Sequence, residues 1–181
     1  MLDYVNTVNG RPAFTRDDLA TTSDLAGWAG AAAAVHHVEL AIGGDVAPAH
    51  HRAAIELRER LYSVFGAIAT DVPPRPDDVR WLTERAADAL RRAELVRTDA
   101  GYEARWSHPG SESVCDSVAD SAVNLLRSPI VRWVKACDGC GWLYLDTSRS
   151  HGRRWCSMNA CGARHKMRRY HQRRSHAAGE P

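Results

Sequence analysis

The sequence of 181 residues lacks any hydrophobic run long enough to cross a membrane. Its longest run, Ala29–Val35, is mostly alanine and glycine, whereas a membrane helix needs roughly 20 apolar residues. The N-terminus, MLDYVNTVNG, also lacks the basic leader and apolar core of a signal peptide. We therefore expect a cytoplasmic protein with no membrane partner. Because 44% of the residues are hydrophobic and 25% are charged, wholesale disorder is excluded.

Catalytic signatures and internal repeats are absent too. The chain has no GxSxG elbow, no phosphate-binding glycine loop and no HExxH pair. We therefore expect that it is not an enzyme. The alternative would require a pocket with strongly perturbed titratable groups within residues 1–130.

Positive charge is scarce in the first part of the chain and concentrated in the last. Residues 1–130 carry 13 Lys and Arg against 19 Asp and Glu, a net charge of −6. Residues 131–176 carry 11 against 2, a net charge of +9. A basic segment attached to an acidic body is typical of proteins that bind an anionic polymer. The alternative is a solvated basic surface helix.

Only five cysteines are present, and four of them lie in the basic segment, at Cys137, Cys140, Cys156 and Cys161. Four thiolates in a C-x-x-C pair and a C-x(4)-C pair, 15 residues apart, predict one structural zinc ion. Disulfides are disfavoured without an export signal, and a redox C-x-x-C pair would need a βαβ context. His151 and His165 are possible substitute ligands. The fifth cysteine, Cys115, is predicted to be a buried helix residue and not a ligand.

Hydrophobic periodicity predicts a mainly α N-terminal domain with one β-hairpin. The expected helices run from Ser23 or Asp24 toward Leu40, over His50–Ala69, from Asp77 or Asp78 through Leu90, and over Ser113–Leu126. The expected hairpin strands are Glu94–Thr98 and Tyr102–Trp106. Asp3 and Asn6 are candidates to line a pocket for a small-molecule effector, although such residues more often cap or cross-link helices.

A small α+β zinc ribbon ending in a basic helix is predicted to follow. Its expected strands are Ile130–Ala136, Trp142–Leu145 and Arg153–Cys156. About 45 residues cannot bury enough apolar surface to be stable alone, so metal binding should contribute to their folding. The interleaved aromatic residues are expected to fill the small core, with stacking on bases as the alternative; they are Trp133, Trp142, Tyr144 and Trp155.

The run ARHKMRRYHQRR predicts the basic helix. Met167, Tyr170 and Arg174 share one face by spacing, so we expect Met167 and Tyr170 to pack inward. Basic residues of this helix and of the strand before it are the candidate nucleic-acid contacts: Arg153, Arg154, Arg164, Lys166, Arg168, Arg169 and Arg173. About +7 of the local charge should remain for an outside partner after the anionic zinc site is compensated.

The segment CDGCGWLYLDTSRSHGRRWCSMNACGARHKMRRYHQRR closely resembles the CGNR-type zinc finger of bacterial proteins. In that family, LFLDTSRN, RRWCSM and CGNR elements precede a basic helix. The corresponding elements of this sequence are LYLDTSRS, RRWCSM and CGAR. Ala163 replaces the usual asparagine of the tetrad, so any capping bond or base contact from that amide is lost. Leu2–Val8 (LDYVNTV) and Ser121–Pro129 (SAVNLLRSP) resemble the first and last elements of the ABATE domain, described as a stress-induced transcription regulator. The resemblance implies an ABATE-like domain over residues 1–130, a CGNR-like domain over 131–176 and a disordered tail over 177–181.

These features together predict a zinc-dependent nucleic-acid-binding protein, with DNA favoured over RNA. If about five phosphates are engaged, the logarithm of affinity should fall with the logarithm of salt at a slope of about −4 to −5. An RNA-binding ribbon and an adaptor that docks on an acidic protein of the transcription machinery are the alternatives.

Overall fold

The computed structural model describes residues 1–11, 13, 15–36, 46–107 and 111–177. The helices are α1 (Leu2–Val5), α2 (Thr22–His36), α3 (Pro48–Ala69), α4 (Pro76–Arg91), α5 (Ser111–Arg127) and α6 (Ala163–Ala177). Three antiparallel pairs contain the strands β1 (Val8–Asn9) with β2 (Arg16–Asp17), β3 (Glu94–Thr98) with β4 (Gly101–Arg105), and β5 (Val134–Ala136) with β6 (Leu143–Leu145). A 3-10 turn covers Pro129–Trp133 and a π-helical turn covers Met158–Gly162.

The mainly helical body and its β3–β4 hairpin confirm the sequence predictions. α3 and α4 each begin at a proline, a position at which the missing N–H costs no intrahelical hydrogen bond. Residues 37–40 of the predicted first long helix lie outside the described residues, as does the predicted disordered tail apart from Ala177, which ends α6. The β1–β2 pair was not predicted, because strands of two residues carry no periodicity.

The hydrophobic core is built around α3. Leu57, Leu61 and Phe65 of this helix are at most 1% exposed and pack with apolar residues of α1, α2, α4 and α5. Cys115 of α5 belongs to the same core, which confirms the prediction that it is a buried residue. Burial raises the pKa of its thiol to about 11.

Two arginines fix the N-terminal strand pair to α3. Arg58, only 2% exposed, donates two hydrogen bonds to the Asp17 carboxylate at 2.6 and 2.8 Å. Arg11 forms a similar bidentate pair with Glu59. Burial would raise the pKa of Asp17, but the hydrogen bonds and charge of Arg58 outweigh it and lower that pKa. Paired charges of this kind hold the chain before α2 against the core.

The cysteine-bearing segment shares the core of the helical body. Val134 of β5 and Leu143 of β6 are 2% and 1% exposed and pack in the same cluster as α3. Asn6 bonds both backbone groups of Leu143, with its Nδ2 donating to the carbonyl at 2.7 Å and its Oδ1 accepting from the N–H at 2.9 Å. The Tyr62 hydroxyl donates to the Gly141 carbonyl at 3.0 Å. Asn6 therefore cross-links elements 137 positions apart.

Two strand predictions in this segment need correction. Only Val134–Ala136 of the predicted first strand is extended, because Pro129 and the capping hydroxyl of Ser128 start a 3-10 turn instead. The predicted third strand, Arg153–Cys156, is wrong: the Arg153 N–H is bonded to the Asp146 carboxylate at 3.0 Å, not to a neighbouring strand.

No helix in the described part of the chain is both long enough and apolar enough to span a membrane.

Candidate metal centre and nucleic-acid interface

The first cysteine pair lies on a tight turn between β5 and β6. Cys137 accepts backbone bonds from Cys140 and Gly141, and its thiol sulfur accepts one from the Gly139 N–H at 3.4 Å. Gly139 is closely packed, since a Cβ would lie 3.1 Å from the Cys161 Cβ and would force that residue to shift by a few tenths of an ångström. Gly141 has a φ of +72°, and a Cβ there would lie 2.9 Å from the Arg11 carbonyl. The turn therefore requires a glycine at position 141 and favours one at position 139.

The second pair is placed by the π-helical turn before α6. Cys161 lies within this turn, and Cys156 lies just before it. The Ser157 hydroxyl accepts a hydrogen bond from the Ala160 N–H at 3.3 Å and caps the turn. Because α6 begins two residues after Cys161, the position of the basic helix is set by the second cysteine pair.

The four sulfur atoms form a compact cluster, all within 4.8 Å of one another. The distance from Cys140 Sγ to Cys156 Sγ is 3.7 Å, and that from Cys156 Sγ to Cys161 Sγ is 3.8 Å. A tetrahedral zinc ion with Zn–S bonds of about 2.3 Å requires sulfur atoms about 3.8 Å apart, whereas a disulfide requires about 2.0 Å. The four cysteines suit a single zinc ion.

The thiol pKa values show how the cluster behaves without metal. Burial would raise the pKa of Cys137, but hydrogen bonds from the N–H groups of Cys156 and Gly139 outweigh it and lower that pKa to about 7. Burial raises the pKa of Cys140 to about 11, and the pKa of Cys156 is raised further. Four close thiols cannot all ionise together, so a zinc ion that binds them must displace protons.

The models of two known protein families match the sequence of this chain. The model of the ABATE family, described as "Putative stress-induced transcription regulator", matches residues 1–129. The CGNR zinc finger model matches residues 133–174. The chain belongs to the ABATE family. It carries a CGNR zinc finger after the ABATE region, as the resemblance in its sequence implied. No curated protein matched the chain.

Part of the positive charge of the CGNR zinc finger is used within the finger. The Arg164 guanidinium donates to Cys161 Sγ at 2.9 Å, and this contact raises the pKa of Arg164. Arg153 donates to the Cys156 carbonyl at 2.7 Å and lies 5.0 Å from the centre of the Tyr144 ring. Both residues therefore support the metal centre. A cluster of four thiolates and one zinc ion has a charge of about −2, which such cations compensate.

The Arg154 side chain contacts residues of the finger but is largely exposed to solvent. It pairs with Asp138 at 2.8 Å, and its guanidinium lies 5.2 Å from the centre of the Trp155 ring. The Arg154 side chain is 66% exposed and that of Asp138 is 44% exposed. An exposed pair of this kind is worth at most about 1 kcal/mol, so Arg154 is only weakly bound to Asp138.

The other predicted contacts lie on α6. Lys166, Arg168, Arg169 and Arg173 are exposed, and none of them forms an ion pair with another residue that the structure describes. Arg168 also lines an open groove of about 770 Å³ between α6 and the Gly139 turn.

The apolar residues of α6 do not pack inward. Met167 is 56% exposed and Tyr170 is 52% exposed, so that prediction is wrong. Within the part of the chain that the structure describes, α6 packs mainly on the π-helical turn that leads into it, so more than half of each of these two side chains is left uncovered. Tyr170 instead accepts a hydrogen bond from Arg174 at 3.1 Å.

The remaining aromatic and histidine residues support the finger. Tyr144 is 9% exposed and packs against Cys137 and Cys161, with Trp142 and Trp155 beside it. His151 stacks on Trp133 with ring centres 3.6 Å apart, and its Nδ1 bonds the Asp146 carbonyl. His165 packs on Trp155. Neither histidine is part of the four-cysteine cluster.

Sequence reasoning missed the buried carboxylate that organises the loop between the two cysteine pairs. Asp146, 1% exposed, accepts hydrogen bonds from the Ser148 hydroxyl, the Ser148 N–H and the Arg153 N–H, and pairs with Lys135 at 3.0 Å. Burial would raise its pKa, but these partners outweigh it and hold the pKa well below the usual range. The only available signal was an aspartate after an apolar strand, which is common in turns.

Proposed function

We propose that the protein is a zinc-dependent, DNA-binding transcription regulator of the bacterial cytoplasm. The observation that carries the proposal is the basic helix α6, which begins at the zinc site and otherwise projects into solvent. In this proposal the metal fixes the start of the helix, and the exposed cations of the helix bind phosphates. The proposed function involves no catalytic step.

The charge pattern supports an anionic polymer as the partner. Four cations of α6 have no partner among the described residues: Lys166, Arg168, Arg169 and Arg173. These four like charges lie within about 11 Å of helix and repel one another. Binding to a polyanion removes the repulsion and releases counterions, which is the main source of affinity in such complexes.

The shape of α6 supports duplex DNA over structured RNA. The major groove of B-form DNA admits a single α-helix, whereas that of A-form RNA is too deep and narrow. Met167 and Tyr170, both more than half exposed on one face of the helix, add apolar surface between the cations. That surface suits contact with base edges such as the thymine methyl group.

Salt-dependent binding to labelled duplex DNA tests the proposal. With four phosphates neutralised, the slope of log affinity against log salt should be about −3.6. Arg168→Ala combined with Arg169→Ala should reduce the slope by about 2 and weaken binding, with no change in bound zinc. The matched control is Arg52→Ala with Arg97→Ala, which removes two exposed arginines of the ABATE region and should change neither.

The alternatives make different predictions in the same assay. RNA binding would be favoured if structured RNA competes more strongly than duplex DNA of equal length. Binding that is indifferent to salt, or equal losses in the two double variants, would contradict the assignment of α6 as the DNA contact. A protein adaptor would leave DNA unbound and would retain its partner after nuclease treatment.

A transcription regulator also needs a signal that controls its binding to DNA. We propose that the ABATE region receives a small-molecule effector, since the DNA contacts lie in the other part of the chain.

A further inference from the structure

The zinc finger carries a second basic patch, made of two arginines that are not among the DNA contacts named above. Arg132 precedes β5, and Arg149 lies in the loop that follows β6. Both residues are exposed, and neither forms an ion pair with another residue in the part of the chain that the structure describes. Their charges are therefore available to a partner.

A stack of two rings brings these arginines together. The rings of Trp133 and His151 are parallel to within 3°, with their centres 3.6 Å apart. The Arg132 guanidinium lies 5.2 Å from the centre of the Trp133 ring. Arg149 is two residues before His151, so the Cα atoms of these two residues lie within about 7 Å of each other. The stack thus joins the chain before β5 to the loop after β6, with one arginine beside each ring.

The loop is anchored at both of its ends. The Asp146 carboxylate accepts hydrogen bonds from the Ser148 N–H at 3.1 Å and from the Arg153 N–H at 3.0 Å. The Lys135 ammonium group donates a hydrogen bond to the His151 carbonyl and pairs with Asp146. A loop that is already ordered loses little conformational entropy when a partner binds.

His151 has an unusual backbone conformation. Its φ is +45°, in the left-handed region where residues other than glycine are uncommon. The stack on Trp133 and a hydrogen bond of 2.7 Å between its Nδ1 and the Asp146 carbonyl hold it there. Conformations of this kind persist where surrounding contacts impose them, and they are frequent in segments that bind ligands.

The exposed groups of the loop suit a phosphate. Arg149 offers a guanidinium, and Thr147 and Ser150 are exposed residues with hydroxyl groups. Arginine, serine and threonine side chains all donate hydrogen bonds to phosphate oxygens. Asp146 does not offset the positive charge at the surface, since it is 1% exposed and pairs with Lys135.

The position of the loop favours the duplex that α6 is proposed to bind. Arg149 and Trp155 are six residues apart, so their Cα atoms are separated by at most about 20 Å. The Trp155 ring packs on that of His165, in the first turn of α6, with the ring centres 4.8 Å apart. One turn of DNA is about 34 Å long. A duplex of one turn or more is therefore long enough to reach both regions.

We propose that Arg132 and Arg149 bind backbone phosphates of the same duplex, as a second contact beside α6. This inference rests on the proposed function and adds two phosphates to the four assigned to α6. The contact is with the DNA backbone, so it adds affinity without sequence preference.

The salt dependence of binding distinguishes this inference from the proposed function alone. With six phosphates neutralised, the slope of log affinity against log salt should be about −5.4, whereas four phosphates give about −3.6. Arg132→Ala combined with Arg149→Ala should return the slope to about −3.6, and Arg132→Lys combined with Arg149→Lys should leave it at about −5.4. Bound zinc and circular dichroism should be unchanged in both double variants.

Each outcome of this experiment has one reading. If the unmodified chain binds no duplex, both the inference and the proposed function are wrong. If it binds with the same slope as the alanine variant, the inference alone is wrong. The inference is also wrong if the lysine variant fails to restore the slope, because the effect is then not one of charge. Stronger competition by structured RNA than by duplex DNA of equal length would contradict the choice of partner.

Photocrosslinking locates the contact directly. Ser150→p-benzoylphenylalanine places a reactive group at the exposed part of the loop and should crosslink to bound duplex. The matched control is Asp99→p-benzoylphenylalanine, in the exposed turn between β3 and β4. If position 150 gives no more crosslinked DNA than position 99, the loop does not lie at the DNA and the inference is overturned.

Discussion

Replacing Asn6 with alanine removes both hydrogen bonds that join α1 to β6. The Leu143 N–H and carbonyl, which Asn6 bonds at 2.9 and 2.7 Å, belong to a residue that is 1% exposed. Each buried backbone group left without a partner costs about 1–3 kcal/mol. Because Asn6 lines a cavity of about 470 Å³ beside β6, water can replace part of the lost amide. We therefore expect a loss near the lower limit, about 2 kcal/mol in the free energy of unfolding.

Urea unfolding of the zinc-loaded chain measures this loss with two probes at once. Tryptophan fluorescence follows the fold, and a chromogenic chelator follows zinc release. With an m-value of about 2 kcal/mol/M, both midpoints should fall by about 1 M. They should fall together, since Val134 and Leu143 pack in the core of the helical body.

Asn124→Ala is the matched control. The Asn124 amide also donates a hydrogen bond, to Asp120 at 2.9 Å, but both residues lie on the surface of one helix. Its removal should cost less than about 0.5 kcal/mol. Equal effects of the two variants would refute the reasoning, as would a zinc-release midpoint that moves while the fluorescence midpoint stays in place.

Three further changes probe the zinc finger. Cys156→Ser should lower zinc affinity by more than the roughly 10- to 100-fold typical of residues that only support ligands, measured by chelator competition. Gly139→Ala should lower it by about tenfold, because the added Cβ would lie 3.1 Å from the Cys161 Cβ and displace that ligand. Asp146→Asn should flatten the pH dependence of stability below about pH 4, measured by acid titration of circular dichroism. The sign follows from the lowered folded-state pKa: the ionised carboxylate stabilises the fold above its unfolded pKa, and this contribution is lost as the pH falls.

Matched variants separate these effects from general loss of structure. Cys115→Ala removes a buried thiol outside the cluster and should leave bound zinc unchanged. Gly27→Ala adds a Cβ that meets no atom within 4 Å and should leave zinc affinity unchanged. Full zinc content in Cys156→Ser, unaltered affinity in Gly139→Ala, or an unchanged acid transition in Asp146→Asn would each contradict the corresponding assignment.

The parts of the fold that sequence predicts correctly are those set by local pattern. The stripe of apolar residues in His50–Ala69 predicts α3 because periodicity and core packing agree there. Cysteine spacing predicts the zinc cluster because only a few chain paths bring such pairs together. The β3–β4 hairpin follows from the turn at Asp99-Ala-Gly101 between two short segments that contain strand-forming residues.

The parts that fail depend on distant partners. Periodicity places Met167 and Tyr170 on one face but cannot say whether any element covers that face, and here none in the described chain does. Nothing near Asn6 indicates that its amide bonds a residue 137 positions away. The strand predicted at Arg153–Cys156 is lost to a carboxylate seven residues earlier, at Asp146. Side-chain competition for backbone donors is invisible to a count of apolar residues.

The zinc site and the basic helix are connected electrostatically as well as by the chain. The anionic cluster lies at the N-terminal end of α6, where it interacts favourably with the helix dipole, and Arg164 neutralises part of its charge. Arg173 and Arg174 lie near the other end, where cations are favourable. The metal centre therefore stabilises the orientation in which the remaining cations project outward. The sequence alone determines how many cations α6 carries, but the direction in which their side chains point depends on the metal centre that the four cysteines form.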